Sequence, residues 1–116
     1  MKIREISENI SLTANEDASQ EFDLVEDLLV FMRNDPIFYR KSYYPMVIDM
    51  MKSIKRKNDV DKKNSILPVV KKGYDEYCKK YSINPKNSQY NKQNIFSLIS
   101  KIYNEEVHNI NSGEYD

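Results

Sequence analysis

The sequence predicts an all-α fold, a compact bundle of four or five helices joined by short polar loops. Apolar residues recur at spacings of three and four in several segments, as they do on the buried face of a helix. No pair of segments alternates apolar and polar residues with the period of two that half-buried strands show. A chain of 116 residues, 40% of them hydrophobic, suits one domain with one modest core.

Three segments are predicted along the chain. Residues 1–12 lack a sustained period and are expected to form an N-terminal arm, with a short strand-like stretch at Ile3–Ile6. A single helical domain is expected over residues 13–113. Residues 114–116 are left as a C-terminal tail.

The first predicted helix follows Thr13-Ala14-Asn15-Glu16, which has the Thr-x-x-Glu spacing of a capping box. Its apolar stripe consists of Phe22, Val25, Leu29 and Met32, and its outer face carries Asp23, Glu26 and Asp27. This pattern predicts a helix that buries one side in the core and presents an acidic side to solvent.

The second helix is expected to begin at the sequence Asn34-Asp35-Pro36. Proline disfavours helical geometry in the residue before it, so Asp35 can cap a new helix whose first residue is Pro36. A helix interior needs an N–H where Pro45 stands, which predicts a kink or a break there. The helix is then expected to end within residues 55–58.

Two more helices are predicted in the second half of the chain. Residues 58–64 form a loop, and the next helix begins near Asn64 or Ser65 with a buried stripe of Leu67, Val70, Tyr74, Tyr77 and Tyr81. Gly73 lies inside it at a cost of about 1 kcal/mol, which a close crossing with another helix would explain. Residues 82–91 form a loop, and Gly113 is placed to stop the last helix.

The composition excludes several classes of site. The two glycines lie far apart, which excludes a glycine-rich phosphate loop or a dinucleotide fingerprint. One cysteine and one histidine exclude a zinc finger and a disulfide framework. No apolar run is long enough to span a bilayer, and the single cysteine fits a reducing, cytoplasmic setting.

The net charge of zero hides an uneven layout. Residues 1–35 carry a net charge of −6, residues 36–103 carry +10 and residues 104–116 carry −4. This layout indicates either a polyanion site in the middle or acidic ends that pack against the centre and neutralise it. The second interpretation is the commoner one in a compact domain.

The candidate binding site is a basic, tyrosine-rich stretch in the centre of the chain. Nucleic-acid sites combine cations for phosphates with aromatic faces on which bases stack, and Tyr39, Tyr43 and Tyr44 accompany the cations here. The alternative is an ordinary basic helix end that complements the helix dipole. The predicted contacts are Arg40, Lys41, Lys52, Lys55, Arg56, Lys57, Lys62 and Lys63.

No catalytic, cofactor or metal site is predicted. Glu105 and His108 have the Glu-x-x-His spacing of helical di-iron proteins, but such a site needs this pair twice and the chain has one histidine. Cys78 and His108 could form a nucleophile and base, yet Cys78 lies beside a tyrosine stripe, where a buried, inert thiol is the usual outcome.

The run Met-Arg-Asn-Asp-Pro-Ile-Phe-Tyr-Arg-Lys-Ser-Tyr-Tyr-Pro at residues 32–45 resembles small uncharacterised proteins of marine tailed bacteriophages. The opening Met-Lys-Ile-Arg-Glu-Ile, the sequence Ile-Tyr-Asn-Glu-Glu at 102–106 and Gly-Glu-Tyr at 113–115 share this resemblance. It implies a phage-encoded accessory or virion-associated protein in the host cytoplasm or the virion. It carries no assigned activity and no functional residue.

These observations predict a non-enzymatic interaction module that binds a protein partner or its own copy. A core of this size is small, and dimerisation would bury more apolar surface. The alternative prediction is a nucleic-acid-binding accessory protein that uses the basic residues of the central stretch. Neither prediction involves a cofactor or a membrane.

Overall fold

Six helical segments follow one another through residues 22–116, the part of the chain that a computed structural model describes. They are α1 (Leu24–Asn34), α2 (Pro36–Phe38), α3 (Tyr44–Lys55), α4 (Lys62–Ser65), α5 (Leu67–Tyr81) and α6 (Lys92–Asn111). A π-helical turn, Tyr39–Tyr43, joins α2 to α3 without leaving helical geometry, and the three together are called the central helix. With α4 as a short turn before α5, four helices form the bundle, and residues 22–116 contain no strand. The predicted all-α fold is confirmed.

The first helix begins later than its apolar stripe predicts. Asp23 is extended and caps α1, because its carboxylate accepts a hydrogen bond from the Glu26 N–H at 3.2 Å. In return the Asp27 carboxylate accepts a bond from the Asp23 N–H at 3.1 Å. Phe22 therefore precedes the helix, although it is buried. The predicted capping box at 13–16, the arm and the strand-like stretch lie outside the described residues.

Pro45 neither breaks nor ends the central helix. In an α-helix its ring would clash with the carbonyl of Lys41, four residues earlier, and the bond to that carbonyl would be missing. A π-helical turn stands directly before Pro45 in this structure, and there the Tyr44 N–H bonds to the Tyr39 carbonyl, five residues back. At the start of the same helix Asp35 accepts a bond from the Phe38 N–H at 2.9 Å, which confirms the predicted cap.

Most helix ends of the second half lie where the sequence predicts them. The predicted loop at 82–91 separates α5 from α6, and Gly113 has a φ of 79° just after α6 ends. The predicted loop at 58–64 is partly wrong. Asp61 caps the short helix α4 with bonds from the Lys63 and Asn64 N–H groups, so that this loop ends in a helical turn.

The core lies between α1, the central helix, α5 and α6. α1 packs against α5 and α6, and the centre of the bundle is filled by Leu24, Leu28, Met32, Phe38, Val47, Met50, Val70, Leu98 and Ile102. Gly73 of α5 meets Met32 and Phe38 so closely that a Cβ atom would lie 2.8 Å from the Met32 sulfur. The predicted close crossing is confirmed. Tyr81, predicted in the buried stripe of α5, is exposed because it lies on the last turn of that helix.

Candidate functional site

The most buried charge among the described residues is the carboxylate of Glu106 on α6, which is 2% exposed. Tyr43, from the π-helical turn, donates its phenol proton to Oε2, and Arg33 of α1 donates to the same oxygen at 3.1 Å. Tyr115 donates to Oε1 at 2.5 Å, and the Asn109 amide reaches that oxygen at 3.4 Å. We call the group Arg33, Tyr43, Glu105, Glu106 and Tyr115 the carboxylate hub.

Arg33 links the members of the hub. Its Nε donates to the Tyr43 phenol oxygen at 2.9 Å, and its Nη1 donates to Glu105 Oε1 at 2.8 Å. Burial by itself would lower the pKa of Arg33, but its interactions with Tyr43, Glu105 and Glu106 outweigh burial. The net effect raises the pKa, so the guanidinium stays charged. One cation thus faces two adjacent carboxylates of α6 and fastens α1 to it.

The two tyrosines of the hub are held in their neutral form. Burial raises the pKa of Tyr43, and the bond to Glu106 raises it further, since an ionised phenolate could not donate this proton. Burial and the same carboxylate raise the pKa of Tyr115. Tyr115 lies in the predicted C-terminal tail, and its bond to Glu106 anchors that segment to the bundle.

The hub is a closed arrangement. Both oxygens of Glu106 accept bonds from side chains of the protein itself, so the carboxylate is already occupied. Sequence reasoning placed Glu105 and Glu106 together on an acidic helix end and missed the hub. A signal was present, because Leu98, Ile102 and Glu106 follow one another at intervals of four and hence share one helix face.

All eight basic residues predicted to contact nucleic acid are exposed. None of them forms an ion pair or a side-chain hydrogen bond with another residue between 22 and 116. Lys62 alone has an aromatic neighbour, since its ammonium lies 4.4 Å from the centre of the Tyr103 ring. We call the eight side chains the cationic surface: Arg40, Lys41, Lys52, Lys55, Arg56, Lys57, Lys62 and Lys63.

The cationic surface follows the outer face of the central helix and continues onto α4. At 3.6 residues per turn, Lys52, Lys55 and Arg56 fall within about 100° of arc. α4 packs beside α3, and an open cavity of about 310 Å³ lies between them. Lys41 lines this cavity together with Asn64 and Ser65 of α4, which brings the two ends of the predicted patch close together.

Two of the three tyrosines predicted to accompany these cations are turned inwards. Tyr43 is fully buried in the hub, and the Tyr39 ring stacks on it with centroids 5.6 Å apart. Tyr44 is partly exposed and packs against Tyr39 and Tyr115. The sequence therefore places the cations correctly on the surface, whereas its expectation of an aromatic face beside them is wrong for Tyr43 and holds in part for the exposed Tyr44.

The charge layout is neutralised at only some positions. Lys80 bonds to Asp35 at 3.2 Å, and Lys101 bonds to Glu26 at 2.8 Å, so two cations of the central region pair with acids of the first 35 residues. The cationic surface takes no part in the ion pairs among residues 22–116. The predicted neutralisation is thus seen at Lys80 and Lys101, and five acidic residues of the first segment lie outside the described residues.

Of the remaining sequence candidates Cys78, Glu105 and His108, Glu105 alone belongs to the carboxylate hub. Cys78 is buried, and burial raises the pKa of its thiol, which disfavours the reactive thiolate. His108 is exposed, while Glu105 is engaged by Arg33. Within the range 22–116 no three potential ligands from His, Cys, Asp and Glu are grouped to hold a metal ion.

Comparisons with protein-family models, with curated proteins and with solved structures find no match to this chain. The resemblance to phage proteins stays a prediction. The function must therefore be inferred from the geometry of the hub and of the cationic surface.

Proposed function

We propose that this protein is a non-enzymatic helical binding module whose cationic surface binds nucleic acid. The observation that supports the proposal is the contrast in how its charges are used. Eight exposed cations have no anionic partner among residues 22–116, whereas the buried carboxylate of Glu106 is fully engaged. Unpaired surface cations close together attract a polyanion such as a phosphate backbone.

The geometry favours nucleic acid over the protein partner that the sequence alone placed first. Exposed apolar side chains are few and come from different helices, as on the surface of most proteins. The cations instead share one helix face and its neighbouring short helix.

A titration of fluorescein-labelled DNA and RNA at low and physiological salt tests the proposal. A variant with Lys52, Lys55 and Arg56 changed to Gln removes three charges from the cationic surface. Lys57 is left unchanged because its left-handed backbone (φ 59°) shapes the helix end. The matched control changes Lys79, Lys86 and Lys92 to Gln, which removes three exposed charges elsewhere.

We expect micromolar binding at low salt that weakens steeply as salt rises. Each phosphate contact contributes about 0.9 to the slope of log K against log salt, so the first variant should lower that slope by about 3. The control variant should change it by less than about 1. No binding of DNA or RNA by the unaltered protein at low salt, or equal loss in both variants, would refute the proposal.

A protein partner or a second copy is the second candidate, and one observation favours it. Phe96, on the second turn of α6, is 68% exposed, the largest exposure of any large apolar side chain among the described residues. A contact made through this ring would be apolar and so insensitive to salt.

Sedimentation equilibrium in high salt tests this second candidate. A second copy predicts a mass that rises with protein concentration and returns to the monomer value in Phe96→Ser. Tyr81→Ser is the matched control, because Tyr81 is also exposed but lies on α5. A monomer at all concentrations would exclude self-association.

The place of action is also proposed. No helix of residues 22–116 has the length and apolar character needed to cross a membrane. A nucleic-acid-binding role fits the host cytoplasm or a virion, as the resemblance to phage proteins implies.

A further inference from the structure

We infer that the cationic surface binds the phosphate backbone of a double-stranded nucleic acid and reads no bases. This inference rests on the proposed function and specifies the form of its ligand. It depends on which groups the structure places beside the cations and on which groups it turns away from them.

The first observation concerns base stacking, for which the cationic surface offers little accessible aromatic area. Single-stranded nucleic acid gains much of its affinity from stacking its bases on aromatic side chains. Tyr43 is buried, Tyr39 is stacked on it, and one face of Tyr103 is covered by Lys62. Tyr44 is held between Tyr39 and Tyr115. Among the described residues the tyrosines beside the cationic surface thus offer one partly exposed ring, Tyr44, which is 37% exposed, and not the row of free rings on which successive bases stack.

Charge density then favours a duplex. A duplex carries one charge per about 1.7 Å of its axis, against about 3.4 Å along one strand, so contacts to phosphates alone are stronger with two strands. Arg40 and Arg56 lie sixteen residues apart, which is about 24 Å along the central helix. This length corresponds to about seven base pairs. A rigid row of cations on a helix also suits a rigid partner.

A substitution of Asp49 tests the inference through a gain of binding, which a misfolded variant would not show. It is exposed on α3 between Lys41 and Lys52, and its carboxylate lines the same cavity as Lys41. A carboxylate in this position repels a phosphate backbone. Asp49→Asn should therefore tighten binding to a duplex several-fold, whereas Asp75→Asn on α5 should change it by less than twofold.

The experiment compares four labelled probes: a 20-base-pair DNA duplex in two unrelated sequences, an RNA duplex of the same length and the single strand of the first DNA sequence. Binding is followed by anisotropy at several salt concentrations and, with unlabelled probes, by protein fluorescence. The chain has nine tyrosines and no tryptophan, so that fluorescence reports stacking on tyrosine directly.

We expect the two DNA duplexes to bind with affinities that agree within about twofold. A DNA or RNA duplex should bind at least fivefold tighter than the single strand. Tyrosine fluorescence should stay unchanged on binding. A single strand that binds as tightly as the duplexes, or that quenches tyrosine, would overturn the inference and leave the proposed function standing. Absence of binding to every probe at low salt would overturn both.

Discussion

Charged side chains are paired on the inner face of the central helix and exposed to solvent on its outer face. On the inner face Tyr43 meets Glu106 and Arg33, and every charge there has a partner of opposite sign within about 3 Å. On the outer face Lys41, Lys52 and Arg56 extend into solvent without an ion pair among the described residues.

The difference follows from the free energy of solvation. A charge removed from water costs several kcal/mol unless partners replace the water, so the inner face tolerates charge only as a closed network. A charge left in water costs nothing to keep and remains available to a ligand. Stability should therefore depend on the hub, and binding on the cationic surface.

The largest expected effect comes from opening the hub. Glu106→Ala leaves the half-buried Arg33 with Glu105 as its one carboxylate of the hub and leaves the phenols of Tyr43 and Tyr115 without their acceptor, so we expect a loss of about 3–5 kcal/mol. Glu105→Ala is the matched control, because its side chain is 41% exposed, and should cost at most about 1 kcal/mol. Urea denaturation followed by circular dichroism measures both. Equal losses would show that the hub is not closed.

The next effect concerns the packing beneath the inner face. In Gly73→Ala the new Cβ would lie 2.9 Å from Met32 Cγ and 3.3 Å from Phe38 Cζ. Overpacking should lower the free energy of unfolding by about 1–3 kcal/mol, while the higher helix propensity of alanine should raise it by about 1 kcal/mol. The net loss is about 1 kcal/mol. The double variant with Met32→Ala checks the cause. Its loss should be smaller than the sum of the single losses, and simple additivity would exclude the clash.

An effect of similar size and opposite sign is expected where the cationic surface meets the end of α3. Lys57 has a φ of 59°, and the Asn58 N–H bonds to the Ser53 carbonyl, as in a helix end that prefers glycine. Lys57→Gly should raise stability by about 1 kcal/mol while it removes one surface charge. Ser82, at the end of α5 with a φ of 55°, offers the matched Ser82→Gly. No gain in either variant would contradict this account.

The smallest effect is a dependence on alkaline pH. Burial, followed by the negative charge of Asp27, raises the pKa of Tyr77 to about 12. A raised pKa stabilises the fold fully below the unfolded value near 10, and this contribution is lost as pH rises from about 10 to 12. In Tyr77→Phe the urea midpoint should therefore fall less between pH 10 and pH 12 than it does in the unaltered protein. An unchanged fall would show that Tyr77 does not contribute.

Local signals were enough to predict most helix boundaries. Asp35 and Pro36 mark a helix start because a side-chain acceptor and a fixed φ act within a few residues. Gly113 marks a helix end for an equally local reason. The predicted helix runs on from the capping box at 13–16 through Phe22, but Phe22 and Asp23 are not helical, and burial of Phe22 does not require a helix.

The site was only half predictable, for a physical reason. Exposure of the eight cations follows from their type, since an unpaired charge stays in water wherever the fold allows. The inward turn of Tyr39 and Tyr43 depends on the π-helical turn and on a carboxylate more than sixty residues away in the sequence. No local pattern contains that contact.

The sequence by itself determined the all-α class, the order of the helices and the position of surplus positive charge. Tertiary structure alone decided which charges are paired. Glu105 and Glu106 are identical neighbours, yet a rotation of about 100° per residue leaves one half-exposed and buries the other under Tyr43. Burial in a bundle depends on which helices approach each face, and this approach is set by the packing of the whole chain.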